Sequence, residues 1–346
     1  MPFADVPPEL VAVQSYIARS LHTVQDLLEH ELTSDLPPVV KLTDHVEKYR
    51  GKMIRPVLCA VFGLACDVDR RGMSAAELDA CELPSRHASI AAVCELVHLA
   101  TLVHDDVLDE AAIRRKSSTV NKLHGNETAV ILGDYLFSAA FHLAAGLESQ
   151  TASRMVAQVG MTLCSGELLQ LWHREDFSLD EATYFEIVSR KTASLIAASC
   201  KFGAMFSGGT PEQIAAAETY GRLLGIAFQI QDDLLDLTGE ERIVGKSVSK
   251  DLEKGKLTLP LIHHLRAASP MERGKTLLVL ATASDRTEQA ASELRRALAS
   301  TGSIEFAKAK AESLVSEAVM AVCTLPPSPA RQMLEEMARV AVTRAY

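Results

Sequence analysis

Apolar residues recur every three to four positions along most of the chain, and this spacing predicts helices rather than strands. Between residues 9 and 33 the repeat places Leu10, Val13, Ile17 and Leu21 on one helical face. Runs of alternating β-branched residues, which are typical of strands, are scarce. We therefore predict an all-α fold, a single-domain bundle of about ten or more helices that spans residues 1–346.

Two of the apolar segments end in the same acidic motif, Asp-Asp-x-x-Asp. Its aspartates are Asp105, Asp106 and Asp109 in the first copy, and Asp232, Asp233 and Asp236 in the second. Residues three and four apart share a helical face, and like charges packed this closely destabilise a helix unless a cation lies among them. One such cluster alone is more often a solvated acidic face, but the duplication favours metal binding. We predict divalent cations between two facing helices, with Mg²⁺ or Mn²⁺ as the hard ions that oxygen ligands prefer.

The net charge of −10 gives no indication of a nucleic-acid partner or of an anionic membrane surface. The seven cysteines are dispersed without a Cys-x-x-Cys pair, a pattern typical of reduced, buried thiols in a cytosolic protein. The N-terminus lacks a basic region followed by an apolar core, and no uncharged apolar run is long enough to span a bilayer. We therefore expect a cytoplasmic protein without a transmembrane segment.

Basic residues concentrate near the acidic motifs in spite of the negative net charge. They are Lys52, Arg55, Arg114, Arg115, Lys191, Lys246 and Lys256. Lysine and arginine beside metal-binding carboxylates indicate a polyanionic ligand, and diphosphate fits because its oxygens can be shared between metal and guanidinium groups. No spacing typical of a Ser or Cys nucleophile is present, so the metal ions would act as Lewis acids on a leaving group. The apolar helix before Asp105 indicates that the diphosphate carries an apolar tail.

The ordered motifs between residues 45 and 265 resemble those of the trans-type isoprenyl diphosphate synthases, the polyprenyl synthetase family. The matching fragments are Gly-Lys-x-x-Arg-Pro, Leu-Val-His-Asp-Asp-x-x-Asp followed by Arg114-Arg115, Gly-Asp-Tyr-Leu, Gly-Glu-Leu-Leu-Gln, Lys-Thr-Ala, Gly-x-x-Phe-Gln-x-x-Asp-Asp-x-x-Asp and Gly-Lys-Leu-Thr-Leu-Pro. This resemblance implies the isoprenoid synthase fold, with helices around a central cavity, and a homodimer. It also implies head-to-tail condensation of isopentenyl diphosphate with an allylic prenyl diphosphate through an allylic carbocation.

The resemblance further implies a role for each matching residue. Three Mg²⁺ ions would bridge Asp105, Asp109 and Asp232 to the allylic diphosphate, with Asp106 and Asp236 completing the acidic set. The cationic partners of that diphosphate would be Arg114, Lys191 and Lys246, with Lys256 nearby. The second diphosphate would be held by Lys52, Arg55, His98 and Arg115. The side-chain oxygens of Thr192 and Gln229 would stabilise positive charge. Arg50 and Met53 depart from the family pattern, as does Ser249-Lys250, and these departures affect substrate-binding loops.

Product length should depend on the helix that leads into Asp105, because one turn rises about 5.4 Å, roughly one isoprene unit. No aromatic residue occurs between Ser89 and Leu102. We therefore predict an open tunnel and a medium or long polyprenyl product. In the alternative, Phe137 or Phe141 closes the tunnel early and the product is short, farnesyl or geranylgeranyl diphosphate.

Two further alternatives remain at the level of function. A terpene cyclase has similar metal-binding motifs. It binds only one diphosphate, however, whereas the basic residues Lys52, Arg55 and Arg115 of this chain suit a second one. A non-catalytic subunit of a heteromeric prenyl synthase would be expected to lose an aspartate motif, and this chain keeps both.

Overall fold

The first helix, α1 (Val11–Glu31), follows the predicted apolar repeat and buries Val13, Ile17 and Leu28 on one face. A computed structural model describes residues 10–238, 256–281 and 287–343, and these residues are almost entirely helical. The all-α prediction is confirmed. All seven cysteines are free thiols, as predicted. The predicted burial is confirmed for Cys59, Cys66, Cys94 and Cys200, but Cys81 is half-buried and Cys164 and Cys323 are exposed.

The remaining elements follow in chain order. In the first half they are α2 (Pro37–Glu47), α3 (Ile54–Cys66), α4 (Ala75–Asp79), α5 (Ser85–Leu108), β1 (Ile113–Arg114), β2 (Ser117–Ser118), α6 (Val120–His124) and α7 (Asn126–Ala145). They continue with α8 (Gln150–Trp172), α9 (Glu181–Val188), a π-helix (Ser189–Ala193), α10 (Ser194–Phe206), α11 (Pro211–Thr238), α12 (Leu259–Ala267), α13 (Pro270–Ala281), α14 (Thr287–Ser300), α15 (Ser303–Val322) and α16 (Pro329–Thr343).

The described residues pack into two compact units, and our prediction of one domain over residues 1–346 stays a prediction. The first unit takes its residues from Met1–Met161, Leu195–Gly221 and Met320–Glu336, and the second from Thr162–Ser194, Arg222–Val319 and Met337–Tyr346. In the first unit, α5 packs against α1, α3 and α7. In the second unit, α12 packs against α9 and α14.

Helix α5 is the core element of the first unit because it is apolar on almost every side. Leu96, Leu99 and Ala100 are at most 1% exposed. The face of α7 that meets α5 carries small residues, and a side chain at Gly133 would overlap the ring of His104. This close approach aligns the C-terminal end of α5, where the first acidic motif lies.

Three local features are not regular continuations of the predicted helices. Residues 113–118 form the antiparallel hairpin of β1 and β2. The π-helix Ser189–Ala193 lies between α9 and α10. Helix α12 begins at Leu259, with Pro260 in its first turn, where the missing N–H is not needed.

Helices α5 and α7 are long and apolar enough to cross a membrane by length and composition alone. In the most apolar 18-residue window of each helix, 72% of the window is buried in α5 and 33% in α7. Core helices of soluble proteins pass the same test, so α5 needs no membrane to explain its composition. The exposed apolar face of α7 is considered below.

His87 near the start of α5 is a buried imidazole that is held in its neutral form. Its Nε2 lies 3.1 Å from the Gly203 carbonyl oxygen. Because a carbonyl only accepts, Nε2 carries the proton, and Nδ1 is buried without a hydrogen-bond partner. Burial lowers the pKa of His87 to about 4. A charged imidazole would place an unsatisfied N–H in the core.

We expect the free energy of unfolding to fall by about 2 kcal/mol between pH 7 and pH 5 on account of His87 alone. The unfolded chain binds this proton near pH 6.5 and the folded chain only near pH 4, so stability is lost as the pH falls through that window. Urea unfolding at both pH values measures the loss. His87→Asn should reduce the pH dependence of the free energy of unfolding, whatever the stability of the variant at pH 7. The control variant His22→Asn, at an exposed position, should leave that pH dependence unchanged. An equal pH dependence in wild type and His87→Asn would contradict this assignment.

Candidate active site

The three aspartates of the first motif have different surroundings. Asp106 is 1% exposed, and its Oδ1 accepts hydrogen bonds from Nε and Nη2 of Arg114, both at 2.8 Å. Asp105 and Asp109 are half-buried. Asp106 therefore holds Arg114 in place, and the outer aspartates are left more accessible to a ligand.

Arg114 and Arg115 lie on a tight hairpin with an unusual backbone. Its two-residue turn is Arg115-Lys116, and both residues have positive φ angles, 47° and 66°. Such a turn normally selects Asn and Gly, because a left-handed conformation costs other residues about 1–2 kcal/mol each. A guanidinium N–H of Arg115 donates to the carbonyl oxygen of Tyr49. A side chain at Gly51 would overlap this guanidinium, so Gly51 is the residue that makes room for it.

Arg55 and His98 form the interior of the same cationic region. Burial lowers the pKa of Arg55, and the nearby Glu95 carboxylate opposes that shift. Burial lowers the pKa of His98 well below its usual value, and Arg55, Arg115 and Arg114 lower it further. His98 is therefore neutral, in an environment where positive charge is already concentrated. This is an arrangement that an anion would stabilise.

The departures from the family pattern have structural explanations at two positions. Arg50 forms ion pairs with Glu47 at 3.0 Å and Glu29 at 3.7 Å, so it ties the loop to α1 and α2. Met53 adopts a left-handed backbone with φ 48° just before α3, and its side chain is 4% exposed. Lys52 is exposed at this helix start. Ser249-Lys250 lies outside the described residues.

The second motif, on α11, repeats the division seen in the first. Asp233 is 4% exposed, and its two oxygens accept hydrogen bonds from Tyr184 Oη at 2.6 Å and Gln229 Nε2 at 2.8 Å. Asp232 is exposed and Asp236 half-buried. In both copies the middle aspartate is part of the protein interior and the outer two are not.

A cavity of about 110 Å³ lies in the second unit, and its lining includes four of the predicted site residues: Lys191, Thr192, Gln229 and Lys256. Thr192 Oγ1 donates to Gln229 Oε1 at 2.9 Å. Asp233 can only accept, so it fixes the Gln229 amide with Nε2 towards Asp233 and Oε1 towards Thr192. The cavity therefore combines two ammonium groups with two oriented oxygens.

Lys191 and Thr192 both lie on the π-helix Ser189–Ala193. Such segments are rare and occur frequently at functional sites. Lys191 Nζ donates to Gln170 Oε1 at 2.9 Å and forms an ion pair with Glu167. A side chain at Gly166 would lie 2.7 Å from the backbone nitrogen of Lys191, so the glycine permits this contact between α8 and the π-helix. Lys246 lies outside the described residues.

Sequence reasoning missed Tyr184 and Tyr49 as site residues, and it named Asp233 only as a member of the acidic motif, without its partner Gln229. The Gln229–Asp233 pair has i,i+4 spacing on a helix, and this spacing could have indicated their hydrogen bond. Tyr184 and Tyr49 carry no local signal, because their partners are distant in the sequence. Within the part of the chain that the structure describes, no group of three or more His, Cys, Asp or Glu side chains is arranged as metal ligands.

The comparisons with known proteins cover nearly the whole chain. The family model "Polyprenyl synthetase" matches residues 37–298. The chain is 30% identical to octaprenyl diphosphate synthase of Escherichia coli, with 97% of this chain and 99% of the relative covered. It is 33% identical to a short chain isoprenyl diphosphate synthase of Methanothermobacter thermautotrophicus, with 95% and 98% covered.

A similar solved structure is the polyprenyl synthase of Caulobacter crescentus complexed with calcium and isoprenyl diphosphate. Its TM-score is 0.86 at 29% sequence identity, with 97% of this chain and 98% of that chain covered. The order of the motifs, the fold and these similarities agree with one another. The chain belongs to the polyprenyl synthetase family of prenyltransferases.

Proposed function

We propose that the protein condenses isopentenyl diphosphate with an allylic prenyl diphosphate, head to tail, to give a trans-polyprenyl diphosphate. The observation that carries this proposal is the cavity of the second unit. Lys191 and Lys256 can attract a diphosphate leaving group, and the oxygens of Thr192 and Gln229 can stabilise the carbocation that its departure creates.

Asp105, Asp109 and Asp232 would hold the divalent ions, with Asp236 assisting, and we propose Mg²⁺ as the natural metal and Mn²⁺ as a substitute. The donor set fits, because Mg²⁺ is usually bound by one or two carboxylates together with substrate phosphates and water. Both motifs also lie near a helix C-terminus whose last turn has no basic residue. The helix dipole disfavours anions there unless a cation binds. When bound, the metal ions act as Lewis acids on the diphosphate.

The reaction breaks the C1–O bond of the allylic substrate and forms a C–C bond to the alkene of isopentenyl diphosphate. The bonding electrons leave with diphosphate, and Lys191 and Lys256, with Lys246, neutralise its charge. The C–C bond moves the positive charge to the second substrate, and loss of one proton to the departed diphosphate restores a double bond. The hydrogen bonds among Thr192, Gln229 and Asp233 fix the two oxygens, Gln229 Oε1 and Thr192 Oγ1, which would stabilise the cation in this proposal.

The second diphosphate is proposed to bind Lys52, Arg55, His98 and Arg115. Neutral His98 can donate one hydrogen bond to a phosphate oxygen without adding charge to the arginine cluster. Asp106 has a structural role in this proposal, because its carboxylate is committed to Arg114.

A medium or long product is favoured by the surroundings of α5. Thr101 Oγ1 donates to the His98 carbonyl oxygen within the helix, so its polar group is satisfied. The aromatic rings of the alternative reading lie one and two turns after Gly133 on α7, and both have other partners or are exposed. Phe141 is 40% exposed, and Phe137 packs against Gly160 of α8 and stacks on Phe141.

Replacing Thr101 by Phe should shorten the product to four or fewer isoprene units, because Thr101 lies only one helical turn before Asp105, near the start of the proposed path of the tail. A ring at this position fills the path of the tail, while the rate of the first condensation should change little. Mass spectrometry of the products measures the length. Leu108→Phe, a matched change at a 39% exposed position of the same helix, should leave it unaltered. An unchanged product from Thr101→Phe would show that the tail does not pass this residue.

We further propose that the protein is a cytoplasmic homodimer formed through α7. This helix exposes Ile131 by 67% and Val130 by 41%, and the neighbouring Met161 is 68% exposed. An apolar face of this kind is typical of an interface with a second copy. Sedimentation of the wild type and of Ile131→Glu tests the proposal, and the variant should shift towards monomer.

The function is tested by incubating the purified protein alone with isopentenyl diphosphate, farnesyl diphosphate and Mg²⁺. The proposal expects consumption of isopentenyl diphosphate that needs both the allylic substrate and the metal. A hydrocarbon formed from farnesyl diphosphate alone would indicate a terpene cyclase. Turnover only after a second subunit is added would indicate a component of a heteromeric synthase.

A further inference from the structure

Tyr49 is fully buried next to the arginine hairpin, although it belongs to none of the sequence motifs. Its side chain is 0% exposed. It follows α2, and its own N–H donates to the Val46 carbonyl oxygen at 2.8 Å, which fixes the backbone at the entry to the Gly51-Lys52 loop. The residue therefore has a rigid position on the scaffold of the first unit.

Three separate parts of Tyr49 contact the hairpin and its base. The phenol oxygen accepts a hydrogen bond from the Val120 N–H at 3.0 Å, just after β2. The face of the ring lies 6.0 Å from the guanidinium carbon of Arg114. The backbone carbonyl accepts from Arg115. One residue thus contacts both arginines and the start of α6, which follows the hairpin.

The phenol also has the Asp106 carboxylate as an electrostatic neighbour. Burial raises the pKa of Tyr49 to about 12, so the hydroxyl stays protonated. Asp106 in turn binds Arg114. Tyr49, Asp106 and Arg114 therefore form one interior cluster between the acidic motif of α5 and the hairpin.

The hairpin needs such an anchor because its own turn is strained. Arg115 and Lys116 both occupy the left-handed region, and the strands contain only two residues each. A hairpin this short is not stable by itself. His45, which lies edge-on to the Tyr49 ring, adds a second anchor by donating from Nε2 to the Ser118 carbonyl oxygen at 2.7 Å.

We propose that Tyr49 is a positioning residue that holds Arg114 and Arg115 in their diphosphate-binding geometry. The inference rests on the proposed function, in which these arginines bind the two substrate diphosphates. Tyr49 contacts neither substrate, so its loss should weaken binding more than it slows chemistry.

The test is steady-state kinetics of wild type, Tyr49→Phe and Tyr49→Leu with isopentenyl and farnesyl diphosphates. Tyr49→Phe keeps the ring and the backbone carbonyl and removes the phenol oxygen, and we expect KM for isopentenyl diphosphate to rise about 3- to 10-fold, as for one hydrogen bond. Tyr49→Leu also removes the ring below Arg114, the proposed partner of the allylic diphosphate, and we expect KM for both isopentenyl and farnesyl diphosphate to rise about 10- to 50-fold. In both variants kcat should change less than about threefold.

Tyr220→Phe is the matched control. Tyr220 is also 0% exposed, and its phenol donates to the Leu334 carbonyl oxygen at 2.7 Å, away from the hairpin. This change should lower the melting temperature as Tyr49→Phe does but leave KM unaltered. If KM for both Tyr49 variants equals that of active wild type, or if the Tyr220 variant raises KM equally, the positioning role is wrong. A wild type that does not consume isopentenyl diphosphate would instead overturn the proposed function.

Discussion

Replacing Asp105 or Asp232 by Asn should lower kcat by about 10³-fold or more, because each change removes a charged ligand from the metal ions that stabilise the departing diphosphate. Both carboxylates are accessible in the structure, whereas the middle aspartate of each motif is buried. The folded state should be hardly affected, since neither outer carboxylate is a core residue. Initial rates at saturating substrates, combined with melting temperatures, measure the two effects separately.

Asp44→Asn, at an exposed position of α2, is the control and should retain full activity. The double variant Asp105→Asn/Asp232→Asn reports whether the two motifs act on one leaving group. Residues that act as a unit are strongly non-additive, so the double variant should be little slower than the worse single variant. Activity within tenfold of wild type in either single variant would contradict a shared role in diphosphate departure.

Asp233→Asn is expected to lower kcat by about 10²- to 10³-fold for a different reason, the loss of a fixed amide orientation. Asp233 accepts from both Tyr184 and Gln229. An Asn offers only one acceptor oxygen, so one of these donors meets an N–H₂ group. If Gln229 rotates to compensate, its amide N–H₂ replaces Oε1 beside Thr192 and opposes the developing carbocation. We also expect a loss of about 1–3 kcal/mol in the free energy of unfolding.

Tyr184→Phe separates the two consequences. It removes one donor to Asp233 but leaves the bond from Gln229 Nε2 in place, so stability should fall while kcat changes less than about tenfold. Measuring both kcat and the melting temperature of Asp233→Asn and Tyr184→Phe separates the effect on the orientation of Gln229 from the effect on stability. If both variants lose the same fraction of kcat, the orientation of Gln229 is not what Asp233 provides.

The fold class could be predicted from the sequence because the apolar period persists through long segments such as α1 and α5. The acidic motifs and the basic residues around them were also visible as local patterns. The hairpin at Arg114 was not, because its turn residues, Arg115 and Lys116, give no turn signal. Its conformation depends on His45 of α2 and on Tyr49, which follows α2. Tertiary contacts override local preference there.

The roles within each motif could not be read from spacing. Asp105, Asp106 and Asp109 are equivalent in the pattern, and only the structure shows that Asp106 is buried against Arg114. The same holds for Asp233, whose partner Tyr184 is remote in sequence. The π-helix at Lys191 was missed because its residues have ordinary helix propensity, and the close approach of Gly166 is a packing effect.

The most direct test of the account is the number of isopentenyl units that the purified protein adds to one allylic starter. Farnesyl diphosphate is incubated with excess labelled isopentenyl diphosphate and Mg²⁺, and the products and released diphosphate are quantified. The account predicts one diphosphate released per unit added and a product longer than four isoprene units. A product that stops at four units would contradict the open tunnel, and diphosphate released without incorporation of isopentenyl diphosphate would contradict chain elongation itself.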